Sequence, residues 1–245
     1  MTHDPFSGLR SAYLRAIARA WRDPEYAGKL FRASKQEKNG ALALLEKDFN
    51  LQFPFDVKFA IDDRHPPRWD PLQTRGWIGY ADDFLIHLPK APGSPEYRAS
   101  ALARYYQEFP TFLGRPKETM RAAEAPDEFG EFGGITLRAL ALAWNDEKFA
   151  QLLYRAEDAR ALIQDYFDYI VPWNFKLRFQ EHAGSDEHWL NEERSDEYWA
   201  KFPISEITVH LPSKPDSPGP EDVRMEPIAL AAYNDTGPQY PFTCG

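Results

Sequence analysis

The sequence predicts an α+β fold, a tandem duplication of a helix-helix-helix-strand-strand unit followed by an extended C-terminal tail. Three observations predict it. First, residues 13 to 33 (Tyr-Leu-Arg-Ala-Ile-Ala-Arg-Ala-Trp-Arg-Asp-Pro-Glu-Tyr-Ala-Gly-Lys-Leu-Phe-Arg-Ala) recur as residues 136 to 156 (Thr-Leu-Arg-Ala-Leu-Ala-Leu-Ala-Trp-Asn-Asp-Glu-Lys-Phe-Ala-Gln-Leu-Leu-Tyr-Arg-Ala). Trp21 aligns with Trp144, Asp23 with Asp146, Tyr26 with Phe149 and Leu30 with Leu153. Second, each copy continues into a run of period two, the mark of a half-buried strand. Val57, Phe59 and Ile61 alternate with Lys58 and Ala60, and Phe175, Leu177 and Phe179 alternate with Lys176 and Arg178. Third, each copy closes on a strand ending in His-Leu-Pro, at residues 84 to 89 and 207 to 212. Self-similarity at this length outranks local signals because it sets the architecture, and helices followed by strands give the α+β class.

The elements follow in order. Leu14, Ile17 and Trp21 fall on one helical face. Asp23 is a strong N-cap and Pro24 suits the first helical position, so a second helix starts there, with Asp146 capping its counterpart. Tyr26, Leu30 and Phe31 supply its buried face, and the Trp anchors the junction in the core. A third helix is expected over 40 to 50 and again over 158 to 170, each stopped near a proline, Pro54 or Pro172. In the closing strands Phe84, Ile86 and Leu88 face one side and Leu85 and His87 the other. Ile207, Val209 and Leu211 oppose Thr208 and His210 in the same way.

Long inserts separate the strands of each copy, residues 62 to 83 with Trp69 and Trp77, and residues 181 to 206 with Trp189 and Trp199. Loops of this length are uncommon unless functional or locally structured. They read either as short helices packed by the tryptophans or as a binding surface. Between the copies, 96 to 109 and 116 to 125 read as helices, and the glycine-rich run from 127 to 134 as a flexible connector. The expected boundaries are 1–92 for the first unit, 93–134 for a helical linker, 135–213 for the second unit and 214–245 for a flexible tail.

Composition narrows the function. A chain of 245 residues with 43% hydrophobic content can bury a substantial core, and its net charge of −9 argues against a nucleic-acid binder. No apolar run approaches the roughly 20 residues of a membrane span, and the N-terminus lacks a secretory pattern. Cys244, the single cysteine, has no partner for an internal disulfide, which points to a reducing compartment such as the cytoplasm. It sits in Tyr-Asn-Asp-Thr-Gly-Pro-Gln-Tyr-Pro-Phe-Thr-Cys-Gly, residues 233 to 245, a stretch with little capacity for regular structure. That thiol is either incidental or placed to enter another protein's active site.

Candidate chemistry elsewhere is sparse. The six histidines (His3, His65, His87, His182, His188 and His210) form no zinc-type pattern with cysteine. His87 and His210 occupy equivalent strand positions and could meet across a pseudo-twofold axis on a shared metal, or serve as hydrogen-bonded strand residues near the unit interface. There is no Gly-x-Ser-x-Gly elbow and no glycine-rich phosphate loop. No catalytic residue, metal site or cofactor is assigned.

These residues carry a resemblance. Ala-Trp-Arg-Asp-Pro-Glu-Tyr at 20 to 26, the amphipathic helix after it, the Val-Lys-Phe strand and the strand ending His-Leu-Pro resemble the α-subunit of nitrile hydratase. They resemble more closely the nitrile-hydratase-like leader proteins. In the enzyme the last strand runs into a cysteine-rich metal claw, where this chain has only Leu88-Pro89 and Leu211-Pro212. The final stretch is similar to the tail of Burkholderia-type thiazole/oxazole-modified microcin precursors. The resemblance covers both repeats and the tail, and departs from the family in its duplicated unit and its longer inserts.

The resemblance implies a non-catalytic precursor whose folded leader presents the tail for modification at Cys244. The partners are then a peptide-modifying enzyme, a heterocyclase or metal-dependent oxidase, and its leader-recognition component, with no nucleic acid and no membrane. Cys244 would react at the carbonyl of Thr243, with Thr243 and Thr236 as weaker nucleophiles. The rival readings are a degenerate hydratase-like enzyme and a protein-binding scaffold using the Trp-rich inserts.

Overall fold

The computed structural model describes residues 5–35, 40–72, 76–109, 127–171, 173, 175–216 and 225–236. The first repeat runs α1 (Pro5–Ala20), α2 (Pro24–Ser34), α3 (Gly40–Phe49), β1 (Lys58–Asp62), β2 (Arg68–Trp69), β3 (Trp77–Ile78) and β4 (Asp83–Pro89). A 3-10 turn at Pro95–Tyr97 leads into α4 (Arg98–Glu108). The second repeat runs α5 (Asp127–Ala143), α6 (Glu147–Arg155), α7 (Arg160–Phe167), β5 (Lys176–His182), α8 (Glu187–Leu190), α9 (Glu192–Lys201) and β6 (Glu206–His210), and α10 (Met225–Thr236) follows. The fold is α+β, with the same order of three helices, strand, insert and strand in both repeats.

The helix starts form as the sequence dictates. Asp23 accepts from the Tyr26 N–H at 3.0 Å, with Pro24 at the first helical position. Asp146 accepts from Lys148 and Phe149 at 2.8 and 3.1 Å. Each cap satisfies backbone donors that the helix leaves unpaired and contributes about 1 kcal/mol. The buried faces are those expected: Tyr26 and Leu30 in α2, Phe149 and Leu153 in α6.

In the four-stranded sheet no strand pairs within its own repeat. The sheet order is β1-β6-β4-β5. β1 runs parallel to β6 from the other repeat, Lys58 opposite Glu206 and Ile61 opposite Val209. β5 runs parallel to β4 in the reciprocal manner, Asp83 opposite Lys176 and Ile86 opposite Phe179. The centre is an antiparallel ladder between β4 and β6, with Phe84 facing Ile207. Those two residues are equivalent in the repeat, so a local pseudo-twofold axis passes through their pair. Phe59, Phe84, Ile86, Leu177, Phe179, Ile207 and Val209 are all buried on the side against which the helices pack, as the period-two pattern requires.

Two expectations change. The run 127–134 lies inside α5 and is no connector. Phe132 is fully buried and meets Trp173 edge-on at 4.9 Å, and burying that ring outweighs the cost of helical glycines, about 1 kcal/mol each. The first insert forms the antiparallel pair β2–β3 where helices were one reading. Gly76 has a φ of 73°, and a Cβ there would collide with the Trp69 ring, so glycine lets the chain turn against that indole. The second insert does form short helices, α8 and α9. The helix expected over 116–125 lies outside the described residues. Among the described residues no helix is long and apolar enough to cross a membrane.

Candidate functional site

Residues 214–245, expected as a flexible tail, contain α10, and the helix is docked on the fold. Glu226, Ala229 and Tyr233 are buried at helical spacing, and Pro227 lies in the first turn, where the missing N–H costs little. Composition alone suggested irregular structure from Tyr233 onward; burial of the Tyr233 face explains why the helix extends to Thr236.

The dock belongs to the first repeat. Trp77 donates its indole N–H to the Ala229 carbonyl at 2.8 Å, and its ring meets Tyr233 edge-on at 5.6 Å. Trp77 in turn stacks on Trp21, 6.1 Å and 19° apart, and meets Trp69 edge-on. Trp21 donates to the Pro212 carbonyl at 2.8 Å, which fixes the chain as it leaves β6. Arg22 and Lys214 reach Glu226 at 3.2 and 3.0 Å. Burial opposes its ionisation, but those two cations hold the Glu226 carboxyl below its ordinary range.

A buried polar cluster lies beneath. Asp82 Oδ1 accepts from the His210 backbone N–H at 2.7 Å and faces His210 Nδ1 at 3.0 Å. Asp82 Oδ2 is buried with no hydrogen-bond partner among the described residues. Burial pushes the Asp82 carboxyl up, and the hydrogen bond to Asp82 raises His210. Burial, then the nearby Asp82 charge, raises the Tyr13 phenol well above its ordinary value, while a hydrogen bond with Tyr233 opposes this. The cluster thus links α1, the approach to β4, β6 and α10.

The second repeat holds α4 in the matching manner. Trp144 donates to the Pro89 carbonyl at 3.0 Å. Ala101 and Tyr105 are the buried residues of α4, with the four-residue spacing of Ala229 and Tyr233. Tyr105 lies 5.8 Å from Trp199 of the second insert. Arg98, three residues before Ala101, donates to Asn145 at 2.7 Å, as Glu226, three before Ala229, meets Arg22. Arg22 and Asn145 each follow the junction tryptophan. Charge marks the difference: Ser205 and Thr136 stand at the positions of Asp82 and Tyr13. The sequence reading missed the α4–α10 match, although the Ala-x-x-x-Tyr spacing after each His-Leu-Pro strand signals it.

The remaining candidates divide. His87 and His210 do not meet. Each lies three residues beyond the central Phe84–Ile207 pair in opposite directions, which separates them by roughly 20 Å at strand spacing. His210 is the hydrogen-bonded interface residue; burial, aided by His182, lowers His87. Among the described residues no group of three or more His, Cys, Asp or Glu side chains could hold a metal ion. Trp77 and Trp199 are 3% and 1% exposed, so the inserts turn these tryptophans inward. Thr243 and Cys244 lie outside the described residues; Thr236 is the last residue of α10.

No curated protein and no solved structure matches the chain. The family model for "ribosomal natural product, two-chain TOMM family" matches residues 4–113 and 127–241. The two matched regions end eight residues beyond Tyr105 and Tyr233 respectively, so both take in the docked helix as well as the helices and strands before it. With nearly the whole chain matched and each matched region spanning one repeat with its helix, the protein belongs to the ribosomal natural product, two-chain TOMM family.

Proposed function

We propose that the chain is a non-catalytic precursor and carrier, the substrate of a peptide-modifying enzyme that acts on Cys244. Family membership supports the precursor role, and the observation that carries the presentation role is the docked α10. A segment expected to be loose is rooted on the fold through Trp77, Tyr233 and Glu226. Cys244 is the eighth residue beyond Thr236, so a fully extended chain places it at most about 29 Å from the end of the anchor. An enzyme docked on the scaffold therefore meets the reacting residue at high effective concentration.

In the azoline form of the reaction, Cys244 Sγ bonds to the Thr243 carbonyl carbon. That S–C bond closes the ring; the Thr243 carbonyl oxygen departs on the phosphate of the activating ATP, the thiol and amide protons are released, and the C–N bond to the Cys244 nitrogen becomes C=N, so the peptide loses the elements of one water. ATP-dependent activation of the amide drives loss of that oxygen. A metal-dependent oxidase acting on the same cysteine would use the same presentation. The thiol suits a reducing compartment such as the cytoplasm. Docking of the leader-recognition component by strand addition would use β1 or β5, the outer strands of the sheet.

Co-expression with the genes that neighbour its own tests the reading. The intact protein loses one water in the azoline case or shows another fixed mass change. Cys244→Ala abolishes the change, and Thr243→Ala leaves Cys244 reactive. An unchanged mass, or a change that survives Cys244→Ala, refutes the assignment.

A further inference from the structure

The two sequence repeats are not the two structural lobes. One lobe combines α1, α2, α3 and the strands β1, β2 and β3 with β6 and α10. The other combines α5, α6, α7, β5, α8 and α9 with β4 and α4. Each repeat thus sends its closing strand and following helix into the lobe founded by the other. We infer that the protein is a reciprocal exchange heterodimer carried on one chain: residues 5–109 and 127–236 are each incomplete, and the partner their surfaces fit is the other repeat.

Three independent layers of contact support this. At the backbone, both outer strands find their described ladder partner in the opposite repeat, Lys58 opposite Glu206 and Asp83 opposite Lys176. The flanking ion pairs cross as well, Lys58 to Glu206 at 2.8 Å and Arg178 Nε to Asp83 at 2.7 Å. In the core, both junction tryptophans donate across, Trp21 to Pro212 and Trp144 to Pro89. At the surface, both helices are tied across by the residue after that tryptophan, Arg22 to Glu226 and Asn145 to Arg98. Separating the repeats breaks all three ladders of the four-stranded sheet and leaves two buried prolyl carbonyls without their donors, a combination that costs far more than a surface contact.

The inference goes beyond the precursor reading and assigns the first repeat a part in it. The tail-bearing helix is seated by residues of the first repeat, so the first repeat acts on the tail in trans even though both share one chain. Covalent continuity between 109 and 127 is then dispensable once the protein has folded.

The test uses the full-length protein with a protease site introduced between residues 109 and 127, cut after purification. The two fragments are expected to co-elute as a one-to-one complex with unchanged near-UV circular dichroism. They should part only in denaturant, and regain that spectrum on dilution when mixed but not singly. Fragments that separate under native conditions, or that each refold alone to cooperative monomers, overturn the inference. In the cut protein, Trp21→Phe together with Trp144→Phe should weaken the complex at least tenfold; unchanged association would also count against it. No step here depends on modification of Cys244, so failure of this test and failure of the precursor reading are distinguishable.

Discussion

Replacing Trp21 by Phe probes the exchange at a single atom. The substitution keeps an aromatic ring but removes the indole N–H that reaches the Pro212 carbonyl at 2.8 Å. Pro212 is buried, so its carbonyl is left without that donor, a loss of about 1–3 kcal/mol. The smaller ring also forfeits part of the stack on Trp77, 6.1 Å away, a further loss of about 0.5–1.5 kcal/mol. The expected destabilisation is about 1.5–4.5 kcal/mol, the sum of those two ranges. With a urea m-value near the upper end of about 3 kcal/mol per M, the unfolding midpoint falls by about 1 M. Trp144→Phe loses the matching bond to Pro89 at 3.0 Å and should fall by a similar amount. The assay is urea unfolding followed by far-UV circular dichroism, which the loss of one indole does not distort. A cost below about 0.5 kcal/mol for either variant, the level of an ordinary surface change, refutes the reasoning. So would a cost confined to one of the two.

Three further outcomes are expected. Because the hydrogen bond to Asp82 raises His210, the pair's contribution is fully present below the ordinary histidine value of about 6.5 and is lost as pH rises through the raised value. Asp82, raised by burial, acts in the same direction, its contribution being lost as pH rises from the ordinary carboxylate value through the raised one. His210→Gln should flatten stability against pH above neutrality, and an unaltered profile would contradict this. Tyr233→Ala removes a ring 3% exposed that meets Trp77 and Tyr80; amide exchange over α10 should accelerate at least tenfold while the sheet keeps its protection. Glu226→Gln weakens the ties to Arg22 and Lys214 and should loosen the same amides by less, since the two cations are half-exposed or more and screened by solvent.

Local structure was legible because it follows from short-range chemistry. Asp23-Pro24 and Asp146 predict helix starts from the geometry of a capping carboxylate, and both caps form. The alternation in 57–61 and 175–179 predicts strands with Phe59 and Leu177 inward, and both are buried. The glycine-rich run 127–134 misled because propensity is a weak prior, and the Phe132–Trp173 contact that outweighs it lies about 40 residues away in the chain. Of the candidate site, the sequence carried the lone cysteine and the shape of the repeats. It did not show that a helix precedes the cysteine, since the periodicity of Ala229 and Tyr233 acquires meaning only against Trp77.

The sequence by itself determined the α+β class, the duplication, the caps, the inward faces of the strands and Cys244 as the chain's one thiol. Tertiary structure alone decided which repeat each element serves. A period of two says which face of a strand is buried but is silent on its neighbour, because backbone hydrogen bonds are the same with any partner. Equivalent strands in a duplicated chain can pair within a repeat or across it with the same residues opposed in kind, a lysine against an acid in both cases. What selects the exchange is the set of contacts formed only when both repeats are present. These are the Phe84–Ile207 ladder, the crossed tryptophan-to-proline bonds and the seat of α10 on Trp77.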